Sequence, residues 1–141
     1  MTAEQRRARR NAQRNERRRT EPFFRRRVDL KQRVFRSIVR GIDDPRLIPH
    51  LGCRVTTTRG HLEAQFERGM SWANYGAWHI DHRIPKVEFY KAVERGDLSE
   101  DECFRRVHHY TKLQPKWARD NLLKGASHQW QRHKRRRIRR R

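Results

Sequence analysis

Residues 78–85, which read Trp-His-Ile-Asp-His-Arg-Ile-Pro, constrain the fold more than any other part of this sequence. Two histidines and one carboxylate stand within four residues, and Pro85 ends any regular strand that they form. His79 and Asp81 are two residues apart, so on a strand their side chains point to the same face. Imidazole and carboxylate groups side by side suit a divalent metal and a proton acceptor. The stretch therefore predicts a strand that presents chemically active side chains.

The rest of the chain offers only a small core around that strand. Hydrophobic residues make up 33% of the 141 positions and charged residues 38%, which fits one domain with extensions. Cys53 and Cys103 are far apart and form no Cys-x-x-Cys pair, so a zinc ribbon is not indicated and a reducing compartment is expected. Apolar runs of membrane-spanning length and the apolar core of a signal peptide are both missing. These features predict a cytoplasmic protein without a membrane partner.

The positive charge is concentrated at the two ends of the chain. Of the net charge of +21, residues 1–27 carry +8 and residues 132–141 carry another +8. A polyanion is the natural partner of such arginine blocks, and nucleic acid is favoured over a solvated tail that only aids solubility. Residues 1–21 contain nothing large and apolar beyond Met1. Both arms are therefore predicted to be disordered in the absence of a partner.

Between the arms, the pattern of apolar residues predicts short helices and strands. Apolar side chains recur at helical spacing from Val28, which predicts an amphipathic helix over residues 29–40 that ends at Gly41. Residues 77–89 are expected to form a two-stranded hairpin or a strand–loop unit. A last short helix is predicted from residues 117–124, closed by a glycine.

Two further local signals concern a helix cap and a set of aromatic residues. Ser99 is followed three positions later by Glu102, which predicts the start of a helix by a capping box. The aromatic side chains of Trp72, Tyr75 and Trp78 can serve either as core residues or as platforms for base stacking. A small domain of low apolar content favours the core role.

An ordered series of blocks makes the chain resemble the HNH endonucleases that are common in phages. The blocks are Leu51-Gly52-Cys53, His61-Leu62-Glu63-Ala64-Gln65-Phe66, Gly69-Met70-Ser71-Trp72, Asn74-Tyr75-Gly76, the stretch over residues 78–85, and the stretch over residues 108–125. The resemblance implies an α+β fold with a small ββα-metal core, flanking helices and basic arms. The resemblance covers roughly residues 51–125, the expected HNH nuclease domain. The charge and apolar patterns add a basic arm (1–27), an amphipathic helix and linker (28–50) and a basic tail (126–141).

The resemblance also assigns roles to the site residues. Asp81 and Asn121 fall on the metal-ligand positions of the family, and His82 falls on the position of the general base. His79 is either an additional ligand, an outer hydrogen-bond partner of the site, or a hydrogen-bonded structural histidine. A carboxylate and an amide oxygen form an open, oxygen-rich site, which favours one Mg²⁺ or Mn²⁺ ion over Zn²⁺ or Ni²⁺.

The chain departs from the family at Lys112, where an asparagine usually precedes Leu-Gln-Pro. A lysine only donates hydrogen bonds, whereas an amide donates and accepts, so Lys112 cannot reproduce both halves of an amide bridge. Either Lys112 donates to a loop carbonyl or to phosphate, or the loop of His82 is held less firmly and the site is slower. Looseness predicts that Lys112→Asn cleaves faster. The competing role, a catalytic cation at the scissile phosphate, predicts that Lys112→Asn cleaves more slowly.

The remaining polar positions are predicted to act in DNA binding or in packing. His109 matches the family's histidine before tyrosine and is expected to be structural, whereas His108 is an extra neighbour that is expected to face solvent. The candidate phosphate contacts are Arg83, Lys124, Arg135, Arg136 and Arg137.

Taken together, the residues and the resemblance predict a metal-dependent endonuclease that nicks or cuts duplex DNA. The alternative is a nonenzymatic basic protein that binds or packages nucleic acid on a decayed HNH scaffold. Such a scaffold has no need to keep Asp81, His82 and Asn121 together, which favours the enzyme. An RNA substrate is not excluded, and packaging or replication proteins of a phage are possible partners. The expected location is the cytoplasm of a prokaryotic or phage-infected cell.

Overall fold

The computed structural model describes residues 1–124, and the C-terminal arm with residues 125–141 lies outside this described part. The chain divides into two compact units, Met1–Val34 and Phe35–Arg141. The described residues form seven α-helices and one two-stranded antiparallel sheet, which confirms the predicted α+β class. Within residues 1–124, no helix combines the length and apolar character that crossing a membrane requires.

The N-terminal arm is a helix, α1 (Ala3–Thr20), so the prediction that it is disordered was wrong. Arginine, alanine, glutamine and glutamate are all good helix formers. Thr2 and Gln5 form a reciprocal capping box that satisfies donors of the first turn. Pairs one turn apart, such as Glu16 with Arg19 at 2.8 Å, add further support. The helix has no buried residue, and besides these local interactions Arg18 pairs with Asp29 of the following helix at 2.6 Å.

Helix α2 (Pro22–Arg40) is the predicted amphipathic helix, and it begins seven residues earlier than expected. Pro22 is its first residue, a position where the missing N–H costs nothing and the fixed φ angle suits a helix. Gly41 ends the helix as predicted, with a left-handed φ of 70° that a glycine adopts without strain. The buried apolar side chains of α2 are Val28, Leu30, Val34 and Ile38.

Two short helices, α3 (Ile48–Leu51) and α4 (Val55–Glu63), follow in the second unit. Gly52 separates them in a left-handed conformation with φ of 79°. Leu51 and Leu62 are fully buried and contribute to the core. Single 3₁₀ turns also connect the elements of this unit, at Pro45–Leu47, Trp72–Asn74 and Tyr110–Lys112.

The sheet consists of β1 (Trp78–His82) and β2 (Leu113–Trp117), which pair antiparallel from Trp78 opposite Trp117 to His82 opposite Leu113. The strand predicted around His79 is therefore present, and of the two forms expected for residues 77–89 the two-stranded hairpin was wrong, because β1 is followed by a short loop at residues 83–85. The chain instead enters α5 (Lys86–Glu94) directly after Pro85, and the second strand comes from far downstream. Pro115 is compatible with β2 because each strand of a two-stranded sheet is an edge strand.

Helices α6 (Glu100–Arg106) and α7 (Ala118–Lys124) complete the described fold. Ser99 is the N-cap of α6, as predicted, and its hydroxyl accepts a hydrogen bond from the Glu102 amide at 3.1 Å. The second half of the predicted capping box is replaced, because the Glu102 carboxylate pairs with Arg105 and Arg106. Helix α7 begins one residue later than predicted, because Trp117 still belongs to β2. Strand β2 thus leads directly into α7.

Trp78 is the centre of the aromatic part of the core. Its side chain is fully buried, and its indole N–H donates to the Ser71 carbonyl at 2.7 Å. The rings of Phe66, Trp72 and Tyr75 meet it edge to face at centroid distances of 5.0, 5.3 and 4.9 Å. These contacts support the core role of the aromatic residues and fix the strand that carries the candidate site.

Candidate functional site

The register of the sheet divides the polar residues of β1 between its two faces. His79 stands opposite Lys116 and Asp81 stands opposite Gln114, so these four side chains share one face. His82 lies at the end of β1 on the other face, together with the core residue Trp78 and its neighbour Ile80. The strand therefore presents a carboxylate and an imidazole on one side and a second imidazole on the other.

Asp81 is held by its cross-strand neighbour. Its side chain is buried, with 7% of its surface exposed, and one carboxylate oxygen accepts a hydrogen bond from the Gln114 amide at 2.7 Å. A carboxylate removed from water is costly unless hydrogen bonds compensate it. Gln114 supplies one such bond and fixes the orientation of the carboxylate on the sheet.

Asn121 reaches the same face of the sheet from α7. This helix contacts both strands, and the Asn121 amide nitrogen lies 3.3 Å from Nδ1 of His79. The amide nitrogen can only donate, so Nδ1 of His79 accepts with its lone pair. A neutral His79 ring then carries its proton on Nε2. The structure thus brings together His79 and Asn121, which are distant in sequence, on the face that also carries Asp81.

The three residues predicted as ligands form a sparse donor set. Within residues 1–124, no group of three or more His, Cys, Asp or Glu side chains has an arrangement that could hold a metal ion. The donors on this face are the carboxylate of Asp81 and the amide oxygen of Asn121, because the lone pair of His79 is already engaged by the Asn121 amide nitrogen. A site with a small number of mainly oxygen ligands suits an ion that keeps several bound waters, such as Mg²⁺. It suits an ion held in a closed site, such as structural Zn²⁺, less well.

His82 is buried and contacts His108, a histidine to which the sequence assigned no role in the site. Its Nε2 lies 2.9 Å from Nδ1 of His108, and the ring of Phe35 stacks on its imidazole at 5.6 Å. His82 is 7% exposed and His108 only 1%. The prediction that His108 faces solvent was therefore wrong. A buried histidine requires a hydrogen-bond partner, and the two imidazoles supply one to each other.

Lys112 closes the loop that connects α6 to β2. Its ammonium group donates to the Arg106 carbonyl at 2.8 Å and lies 5.3 Å from the centre of the Phe89 ring. Its own carbonyl accepts a hydrogen bond from the Arg83 amide at 2.8 Å. Burial, and then the charge of Arg106, lower the pKa of Lys112. Of the roles expected for Lys112, the structure shows donation to a main-chain carbonyl, which belongs to the last residue of α6 rather than to the loop itself.

His109 contacts the polypeptide at Gly52, directly after α3. Its Nδ1 lies 2.8 Å from the Thr111 hydroxyl, and its ring lies so close to Gly52 that a side chain there would collide with it. Burial, and then the charge of Lys112, lower the pKa of His109. These contacts support the structural role predicted for His109.

The predicted DNA contacts fall only partly within the described residues. Arg83 is exposed directly after β1, and its guanidinium donates to the Gln65 side chain at 2.6 Å. Lys124 is the last residue of α7, and its side chain lies outside the described part of the structure. The predicted contacts Arg135, Arg136 and Arg137 also lie outside it.

One relative from a giant virus resembles most of the chain. A protein of Acanthamoeba polyphaga mimivirus, named "Uncharacterized protein L426", is 30% identical over 106 residues, which cover 74% of this chain. The chain spans only 44% of the length of that relative. No family model and no solved structure matches the chain.

Proposed function

We propose that this protein is a metal-dependent endonuclease of the HNH type that hydrolyses phosphodiester bonds of DNA. The observation that carries the proposal is the order of two antiparallel strands and a helix, which brings His79, Asp81 and Asn121 to one face of the sheet. Strand β1 carries Asp81 and His82, β2 orients Asp81 through Gln114, and α7 returns Asn121 to the same sheet face. This order matches the ββα-metal core that the resemblance implies.

Hydrolysis of a phosphodiester requires an activated water, a neutralised phosphate and a stabilised leaving oxygen. A bound Mg²⁺ or Mn²⁺ ion would neutralise the phosphate and the leaving oxygen. Asp81 and Asn121 would hold the ion, and His79 would orient Asn121 through its ring nitrogen. His82 would take a proton from the attacking water, which a neutral imidazole does efficiently near neutral pH.

The N-terminal helix supports DNA as the substrate. At 100° per residue, six of its arginines fall within about a third of the helix circumference. These arginines are Arg6, Arg7, Arg10, Arg14, Arg17 and Arg18. Helix α1 has no buried residue, and although Arg17 pairs with Glu21 and Arg18 with Asp29, the other four arginines of this stripe are exposed and can contact a polyanion. Arginines pair with phosphate oxygens and contribute affinity without reading bases.

A nonenzymatic nucleic-acid-binding protein is the second candidate. The arginine stripe and the net charge of +21 fit this alternative equally well, since neither needs a metal. The near-complete burial of His82 also favours it, because a general base must reach water. The enzyme is favoured by the side chains of Asp81 and Asn121, which lie on one sheet face and are held there by Gln114 and His79, respectively.

Nicking of supercoiled plasmid by the purified full-length chain separates the two candidates. We expect nicking with Mg²⁺ or Mn²⁺ and none with excess EDTA. His82→Ala should lower the single-turnover rate by about 10²–10⁴-fold while DNA affinity is kept. His50→Ala is the matched control, because His50 contacts the Phe104 carbonyl away from the sheet. Tight DNA binding without metal-dependent nicking would support the nonenzymatic alternative.

A further inference from the structure

We propose that His108 is a positioning residue that fixes the orientation and the proton arrangement of His82. This inference rests on the proposed function, because it concerns the histidine that would act as the general base. It concerns a residue outside the strand–strand–helix core, in the loop between α6 and β2.

The geometry allows only one proton between the two rings. Nε2 of His82 and Nδ1 of His108 are 2.9 Å apart, which is a hydrogen-bond distance for two nitrogens. Two neutral imidazoles bond in this way only if one nitrogen carries the proton and the other carries a lone pair. Both side chains are at least nine-tenths buried, so water cannot easily replace either partner.

The role of a base decides the direction of the bond. Because Nε2 of His82 faces His108, the nitrogen of His82 that accepts a proton from water must be Nδ1. A neutral ring with a lone pair on Nδ1 carries its proton on Nε2. His82 therefore donates through Nε2–H, and His108 accepts at Nδ1 and carries its own proton on Nε2.

The surroundings hold both rings in place. The Phe35 ring stacks on His82 with an interplanar angle of 20° and meets His108 edge on at 6.2 Å. The loop that carries His108 is closed by the bond from Lys112 to the Arg106 carbonyl. The same loop is tied to the residue after His82 by the bond from the Arg83 amide to the Lys112 carbonyl. The base and its partner are thus fixed by one connected set of bonds.

Nuclear magnetic resonance of ¹⁵N-histidine-labelled full-length protein tests the pair without any need for cleavage. At about pH 8, where an ordinary histidine is neutral, we expect a nitrogen–nitrogen coupling across the hydrogen bond. We expect the shared proton to be bound to Nε2 of His82. A proton bound to Nδ1 of His108, or no coupling between the rings, would overturn the inference even if the protein cleaves DNA.

Two variants at position 108 test the consequence for the rate. His108→Leu removes the acceptor and should slow single-turnover cleavage by about 10²-fold, with DNA affinity unchanged. His108→Asn can place a side-chain oxygen near the former Nδ1 position, so it should recover most of the lost rate. His109→Asn makes the same change one residue further and should cleave at the parent rate.

The outcomes separate this inference from the proposed function. Cleavage by His108→Leu at the parent rate would refute the positioning role, although the endonuclease activity would stand. If the parent does not cleave DNA at all, the proposed function fails, and the coupling experiment alone decides whether His108 fixes the proton of His82. If His108→Leu does not fold, His108→Asn is compared with the control His109→Asn instead. A cleavage rate of His108→Asn below about a tenth of the His109→Asn rate would overturn the inference.

Discussion

Replacement of Lys112 by methionine should destabilise the protein through one identifiable hydrogen bond. The ammonium group of Lys112 donates to the Arg106 carbonyl at 2.8 Å from a partly buried position. Hydrogen bonds to charged groups contribute about 1.5–3 kcal/mol, and partial exposure reduces this to about 1–2 kcal/mol. Methionine keeps an unbranched stem against Phe89, so Lys112→Met loses mainly the charge and the bond.

The expected effect can be measured by thermal and chemical unfolding. A loss of about 1–2 kcal/mol corresponds to a fall in Tm of roughly 3–8 °C for a chain of this size. Lys91→Met is the matched control, because Lys91 is an exposed lysine on α5. We expect its Tm to stay within about 1 °C of the parent, as is usual for exposed positions. Equal midpoints for the two variants would refute the assignment of stability to the Lys112 bond.

Because of the same bond, we expect the opposite rate change for Lys112→Asn from the one that the HNH resemblance predicts. That prediction assumes that a lysine holds the loop poorly, but Lys112 closes the loop that carries His108. An asparagine is too short to keep a bond made from the end of a lysine side chain, so we expect cleavage about tenfold slower. If Lys112→Asn cleaves faster than the parent, a lysine at this position does hold the loop less firmly than an asparagine. The Lys112 bond would then not help to position His82.

Three further predictions concern the metal, the arginine stripe and the turn after α3. Asp81→Ala or Asn121→Ala should weaken the dependence of cleavage on Mg²⁺ or Mn²⁺, and calorimetric titration with Mn²⁺ should show reduced affinity; unchanged affinity would remove the residue from the ligand set. Deletion of residues 1–21 should lower the log–log salt slope of DNA binding by roughly 0.9 for each lost phosphate contact, and an unchanged slope would assign α1 to another partner. Gly52→Ala should lower the free energy of unfolding by at least about 2 kcal/mol, since the new methyl group meets the His109 ring in a left-handed backbone, and a Tm equal to that of the parent would contradict this.

The strand and the residues grouped on one of its faces could be predicted because the signals are local. His79 and Asp81 share a face by the period of a strand alone, and Pro85 marks its end. The placement of Asn121 beside His79 needed more than local pattern, since it depends on the downstream strand. Only the resemblance to a known family supplied that long-range relation before the structure.

The features that sequence reasoning missed depend on tertiary contacts or on the sum of several weak local interactions. His108 follows a helix and stands beside another histidine, and nothing local distinguishes a buried imidazole from a solvated one. Strand β2 contains Gln-Pro-Lys, which is a poor strand pattern that pairing with β1 nevertheless stabilises. Helix α1 was misjudged because arginine-rich composition suggested disorder, whereas its cap and charge pairs were readable at Thr2 and Glu16.

The pairing of β1 with β2 also determines when the site can exist during synthesis of the chain. About 30 residues separate the two strands. Closing such a loop costs conformational entropy before the contacts between the strands can offset that cost. The ribosome makes β1 first, and β2 and α7 only after α5 and α6 have emerged. Gln114 and Asn121 therefore reach Asp81 and His79 only after α5 and α6 have been synthesised. A nascent chain that stops before residue 113 carries the histidines of β1 without the hydrogen-bond partners that β2 and α7 supply.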